Sequence, residues 1–430
     1  MSDFPFGFRP PGDDEPGGPG EGGPLPFGFS SSADLGEMLQ QLGRALSSGD
    51  GGPVNWNLAR DTARQVVAAE GDRSVAEAEQ RAAEESARLA EVWLDPTTTL
   101  PAGTTSARAW SRSEWIEGTL PTWARIVGPV AEKVSAASAE ALPEEMRSMA
   151  GPMLGMLRQL GGAMFGGQVG QGLGHLALEV LSGTDIGLPL APAGVAVLLP
   201  ANITAFGAGL SVPQDDVRLY VALREAAHHR LYGHVAWLEA RLLGAIEEYA
   251  AGINVDASRL QELFGGIDPG DPAAIQRALE SGVFEPEDTP AQQAALARLE
   301  TLLALVEGWV DTVVTRAAGP IAAAGAIQEA IRRRRASGGP AEQTFATLVG
   351  LELRPRRLRE AARLWAALED AKGVGGRDAV WAHPDLLPGP ADLDDPEAFA
   401  RATETDWDIA ALDDGPGDGP EGTAQPDPQS

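Results

Sequence analysis

Cysteine is absent from all 430 residues, and lysine nearly so, with Lys133 and Lys372 the only two. The first absence excludes disulfides, thiolate nucleophiles, cysteine zinc knuckles and iron–sulfur clusters. The second removes the G-K-[ST] phosphate loop, because neither lysine follows a glycine. It also leaves almost no candidate for a lysine Schiff base. Positive charge of any kind is short, at 33 basic against 62 acidic side chains for a formal net charge of −29. A nucleic-acid partner is therefore not expected, since displacing counterions from phosphates needs clustered positive potential. Long apolar runs are missing too. The nearest to one, residues 153–181, is interrupted by Arg158, Gln159, Gln168, Gln171, His175 and Glu179, so no membrane partner is expected. The first 23 residues are mostly Gly, Pro and acid and lack the order of a secretory signal. The expectation is a soluble, cytoplasmic protein.

Hydrophobic residues make up 43% of the chain, enough for a sizeable core, and the length suggests two or three folding units. Residues 1–34 are a Gly/Pro-rich arm with too few branched apolar side chains to offset the entropy of ordering. Within it Pro5-Phe6-Gly7-Phe8 recurs as Pro26-Phe27-Gly28-Phe29, either by chance or as paired aromatics that dock on a groove of this chain or of a protein partner. Residues 386–430 read as an acidic, mostly disordered tail, also a candidate for protein binding.

Between the tails the period is helical. Residues 57–94 carry apolar side chains at spacings of three and four. Residues 107–138 form a second helical stretch interrupted at Pro121 and Pro129, and residues 144–182 a third. The glycines of that third stretch would each cost about 1 kcal/mol in an exposed helix, which places it in a crowded interior. Residues 194–199, closed by Pro200, are the best strand candidate, with 203–210 a weaker second. A long helix over 217–251, capped by Asp215 or Asp216, follows. Further helices are expected at 256–264, 272–281, 290–318, 321–335, 341–350 and 355–371. The fold class is mainly α with at most a small β element: a helical region over 35–185, then a helical core over 186–385.

Only five histidines exist, and three of them, His228, His229 and His234, lie on the 217–251 helix beside Arg224 and Glu225. Positions four apart nearly share a helix face, so Arg224 aligns with His228, and Glu225 with His229. Polar groups this dense on an apolar helix need partners if buried. The other two histidines are His175 and His383, the latter a lone loop histidine expected to bond locally. The basic run Arg332–Arg335 is expected to be a solvated helix end or to meet the acidic tail or a partner's acids. No G-x-S-x-G nucleophile elbow is present.

The run Leu223-Arg224-Glu225-Ala226-Ala227-His228-His229-Arg230-Leu231 resembles the site helix of zincin-like metallopeptidases. It is closer still to an actinobacterial-type family of zinc-dependent metalloproteases or hydrolases. The PFGF phrase, Leu303-Ala304-Leu305-Val306-Glu307-Gly308-Trp309-Val310-Asp311 and Arg377-Asp378-Ala379-Val380-Trp381-Ala382-His383-Pro384-Asp385 extend the likeness over essentially the whole chain. The resemblance implies a zincin-like core, a zinc-activated water and a peptide or protein substrate. It makes Glu225 the general base, His228 and Glu307 metal ligands, and His229 and Asp311 further candidates. The first histidine of H-E-x-x-H is here Arg224, which offers a metal no lone pair.

Three arrangements follow. A metal binds through His228, Glu307 and one of His229, Asp311 or His175, giving a zinc-dependent hydrolase. Alternatively, Arg224 stands where the cation would be and neutralises Glu225 or Glu307, giving a catalytically inactive scaffold that serves protein interaction. In the third, His228 and His229 are core or groove histidines bonded to backbone, and the acids cap helices or pair with arginines.

Overall fold

A computed structural model describes residues 52–140, 151–252, 289–336 and 357–402. The two PFGF phrases, the expected helices at 256–264, 272–281 and 341–350, and residues 403–430 of the acidic tail lie outside them. The described chain is mainly α, with one pair of short strands among the described residues.

The expected 57–94 helix is two, α1 (Trp56–Ala69) and α2 (Glu77–Leu94). Gly71 at φ +81° lies in the turn between them. The Asn55 side chain caps α1 by accepting from the Leu58 N–H. The stretch expected to be helical from 107 begins instead with strand β1 (Ser106–Ala109) and only then becomes α3 (Arg112–Glu140), which runs through Pro121 and Pro129. Helix α4 (Gly151–Ala177) carries the glycines. A Cβ on Gly162, Gly166, Gly170 or Gly174 would meet Gly52, Asn55, Ala59 or Val66 at 2.6 Å or less, so this face lets α4 lie against α1. Gly161 and Gly167, off that face, meet nothing within 4 Å.

Strand β2 (Val195–Leu198) falls where the 194–199 pattern puts it and pairs in parallel with β1, Ser106 opposite Val195 and Ala109 opposite Leu198. The weaker strand candidate at 203–210 is helical: α5 (Pro200–Ala208) starts with Pro200 at its first turn, a position that needs no N–H. The long 217–251 helix is also divided. Helix α6 (Gln214–His234) ends at Val235, and α7 (Leu238–Ala251) starts three residues later.

Two helices sit at the centre. From Tyr220 to Leu231 every residue of α6 is buried, and so is every residue of α8 (Pro290–Ala317) from Leu302 to Val314. A helix covered on all sides shows little amphipathic contrast, and neighbours must satisfy its polar residues. Thr289 caps α8 in a reciprocal box with Gln292, with Pro290 at the first helical position. Helix α8 packs on α6, α7 and α10 (Leu358–Ala379, kinked at Gly373), while α9 (Ala324–Ala336) reaches α6. At Gly308 the α8 and α10 backbones approach so closely that a Cβ would lie 2.8 Å from the Ala361 carbonyl carbon.

The two motif segments outside α6 brace this centre. Trp309 Nε1 donates to Asp378 Oδ1 at 2.9 Å, and Asp378 also accepts from Thr98 and Thr99. Arg377, fully buried, holds Glu369 and the Thr97 carbonyl. Residues at the start of the expected acidic tail are ordered: α11 (Pro396–Ala402) packs on α10, with Leu393 and Ala400 buried.

Candidate functional site

Two stripes of α6, each at four-residue spacing, converge on two carboxylates. The first is Arg224, His228 and Tyr232. Arg224 Nη2 donates to Glu307 Oε2 at 2.6 Å, and His228 Nε2 lies 3.0 Å from Glu307 Oε1. His228 Nδ1 sits 2.8 Å from the Arg224 carbonyl, so both ring nitrogens face oxygen acceptors. The Tyr232 ring stacks on His228, 9° from parallel, and its hydroxyl donates to the Gly187 carbonyl. The second stripe is Glu225 and His229, whose Nε2 lies 3.3 Å from Glu225 Oε1. The sidedness read from the sequence, 224 with 228 and 225 with 229, is thus reproduced in space.

Glu225 is enclosed. Oε1 also accepts the Val197 N–H of β2 at 3.0 Å, and Oε2 accepts both the N–H and the hydroxyl of Thr184, at 3.0 and 2.6 Å. Burial pushes its pKa up, but His229, Thr184 and the Val197 amide outweigh that and hold it down to about 2. The carboxylate therefore ties α6 to β2 and to the loop over residues 182–191.

Glu307, buried to 1% exposure, receives a cation the sequence reading placed elsewhere. Arg335, from the last turn of α9, pairs with Glu307 Oε2 and also bonds the Asp185 carbonyl. Burial again opposes ionisation of Glu307, while Arg335, His228 and Arg224 together keep its pKa well below the ordinary value. Arg224 is raised in turn: burial works against its charge, and Glu307 chiefly restores it.

The run Arg332–Arg335 is accordingly not a solvated end. Arg334 holds Asp185 and the Glu179 carbonyl, Arg332 holds Asp311, and only Arg333 pairs with an exposed acid, Glu329. Inward reach follows from where α9 ends, against α6 and the 182–191 loop, something a run of like charges cannot reveal by itself.

That loop fits by two glycines. A Cβ on Gly183 would lie 2.9 Å from Glu225 Oε1. One on Gly187, already at φ +82°, would lie 2.8 Å from Glu307 Oε1.

Of the residues singled out from sequence, Arg224, His228 and Glu307 come together in one buried group, and Glu225 and His229 in a second on the neighbouring stripe of α6. Asp311, one turn beyond Glu307, is occupied by Arg332 and Gln328. His175 is exposed on α4, and His234 bonds the Ala102 carbonyl at 3.3 Å. His383 accepts from the Asp385 N–H, the local role expected of it. Sequence reasoning missed Arg335, Thr184, Asp185 and the Val197 amide. The glycine pair in Gly183-Thr184-Asp185-Ile186-Gly187 was the available signal for a tight loop.

Among the described residues, no group of three or more His, Asp or Glu side chains is placed to hold a metal. No helix among them is long and apolar enough to cross a membrane.

The sequence model of the family described as zincin-like metallopeptidase matches residues 54–400. No curated protein matches the chain. Among solved structures, the fold is similar to the "crystal structure of a putative hydrolase with a novel fold from Chloroflexus aurantiacus", at a TM-score of 0.56 and 21% identity. The match covers 82% of this chain and 99% of that one.

Proposed function

Because the chain belongs to the zincin-like metallopeptidase family, we propose that it is a metal-independent member of it. In this reading it is a catalytically inactive scaffold in which Arg224, joined by Arg335, supplies the charge that zinc would bring to Glu307. Its role is then to bind a peptide or protein segment, the substrate class the family implies, without cleaving it.

The observation that carries this reading is the pairing of both guanidinium groups with Glu307 Oε2. A zinc ion here does not fit the donors present. At an effective dielectric of 20, a dication about 4 Å from one guanidinium is repelled by about 8 kcal/mol, and there are two. Glu225 is no better suited to its family role. With both oxygens engaged and its pKa near 2, it has little affinity for a water proton at neutral pH.

The second reading is a zinc-dependent hydrolase with Glu225 as base and His228 and Glu307 as ligands, aided by His229 or Asp311. It is favoured by the family and by the approach of His228 Nε2 to Glu307 Oε1. Elemental analysis separates the two. Full-length protein without a histidine tag, incubated with excess zinc and dialysed, is expected to retain none. Arg224→His combined with Arg335→Gln is expected to gain binding that His228→Ala then abolishes. Near one zinc per wild-type chain, lost in His228→Ala, overturns the metal-independent reading.

A further inference from the structure

Residues 181–187, Leu-Ser-Gly-Thr-Asp-Ile-Gly, cross the site and are held there mainly through their backbone. At one end they extend the sheet. Ser182 pairs antiparallel with Leu198 on the edge of β2 that faces away from β1. The Gly183 N–H donates to the Val197 carbonyl at 3.0 Å, and the Leu199 N–H to the Leu181 carbonyl at 3.0 Å. Beyond the strand the helices take over. The Thr184 N–H donates to Glu225, the Asp185 carbonyl accepts from Arg335, and the Gly187 carbonyl accepts from the Tyr232 hydroxyl. Two side chains add polar contacts: the Thr184 hydroxyl donates to Glu225, and the Asp185 carboxylate accepts from Arg334 and from the Leu181 N–H.

An extended peptide added to a sheet edge is recognised in the same manner, with main-chain bonds for affinity and side-chain space for selection. Selection here is by size. A Cβ on Gly183 would lie 2.9 Å from a Glu225 oxygen, and one on Gly187 2.8 Å from a Glu307 oxygen, so the segment needs glycine over each carboxylate. The groups beneath it are also unlike the underside of a loop that merely closes a core. Leu181, Leu188 and Leu190, at its two ends, sit in the apolar interior. Between those anchors the segment rests on Glu225, Glu307, Tyr232, Arg334 and Arg335. Uncovered, such groups need water or another ligand. Asp185 and Ile186 are half-buried, so the segment lies at the surface with these polar groups below it.

Resting on the peptide-binding reading above, we propose that residues 181–187 are the site's own peptide ligand. They form an internal strap that fills the place of a partner's extended segment and must lift before such a segment binds. The segment it stands in for runs antiparallel to β2 and carries glycine at two positions four apart.

Hydrogen exchange of the full-length wild-type chain, read by mass spectrometry across a urea series, tests whether the strap opens by itself. Amides of 181–187 are expected to exchange at least about tenfold faster than those of 220–231 in α6, with a weaker dependence on urea. A synthetic peptide of residues 181–188 is then titrated by calorimetry. It is expected to bind Gly187→Ala at least about fivefold more tightly than the wild type, whose intact strap competes with it. Bound peptide should also speed exchange of 181–187 in the chain, and the same peptide with alanine for both glycines should not bind. Exchange of 181–187 only together with α6, at the same urea slope, overturns the proposal on the wild type alone, whether or not Gly187→Ala folds. Failure of the peptide to bind Gly187→Ala, or equal binding of the alanine peptide, overturns it as well. Metal is read separately: retained zinc overturns the metal-independent reading, whereas a strap that opens only with the whole molecule overturns this inference even in zinc-free protein.

Discussion

Replacing Arg224 by methionine removes a charge from beneath Glu307 while keeping most of the side chain's volume. The two groups lie 2.6 Å apart with side-chain exposures of 7% and 1%, so solvent screens them little. Unit charges about 4 Å apart attract by about 4 kcal/mol at an effective dielectric of 20. Breaking a buried pair from one side costs about 3–5 kcal/mol, because the remaining charge is stranded. Here Arg335 still neutralises Glu307, which brings the expected loss to about 2–4 kcal/mol. Urea denaturation is the assay, read as the change in midpoint at constant slope. Arg81→Met serves as the reference, since Arg81 and Glu77 are 63% and 87% exposed and their pair is expected to contribute less than about 0.5 kcal/mol. Arg224→Met and Glu307→Gln together should cost less than the sum of the two single changes, because they remove the two halves of one pair. A loss for Arg224→Met no larger than that for Arg81→Met refutes the reasoning. So does strict additivity of the Arg224 and Glu307 changes.

Two further outcomes follow from the same cluster. Glu225 has a depressed folded-state pKa, so its contribution is fully present above the unfolded value near 4.5 and is lost as pH falls toward about 2. That amounts to about 3 kcal/mol, and Glu225→Gln should flatten the acid limb of the stability–pH curve between those values, whatever it does to stability at pH 7. Gly187→Ala should cost about 1–3 kcal/mol, combining its positive φ with a Cβ pressed on Glu307. Gly71→Ala, at a similar φ with open space around it, should cost only the backbone part, so equal losses in thermal or urea unfolding would show that the Glu307 contact contributes nothing.

Much of the fold is written locally. Proline and glycine punctuation together with three-and-four spacing located most of the helices, and the branched run ending at Pro200 located β2. The failures share a cause. Residues 203–208 are apolar enough for a strand, yet Pro200 starts a helix there. The 217–251 pattern looked continuous, and only the tertiary position of Trp237, which donates to the Trp381 carbonyl, accompanies the break before α7. Strand β1 went unseen because four residues, Ser106–Ala109, carry almost no pattern and gain their hydrogen bonds from β2, about ninety residues away.

The site divides in the same way. Sequence alone put Arg224 on the face of His228, and Glu225 on that of His229, because helical periodicity is a property of consecutive residues. It also placed arginine where a ligand histidine would be. Which carboxylate each stripe meets was decided by packing: Glu307 is 83 residues from Arg224, and Thr184 is 41 from Glu225. Only the folded chain turned Arg334 and Arg335 inward. Spacing along a helix fixes direction but not what lies opposite, and in this interior the groups opposite set each acid's charge, its partners and the chemistry left open to it.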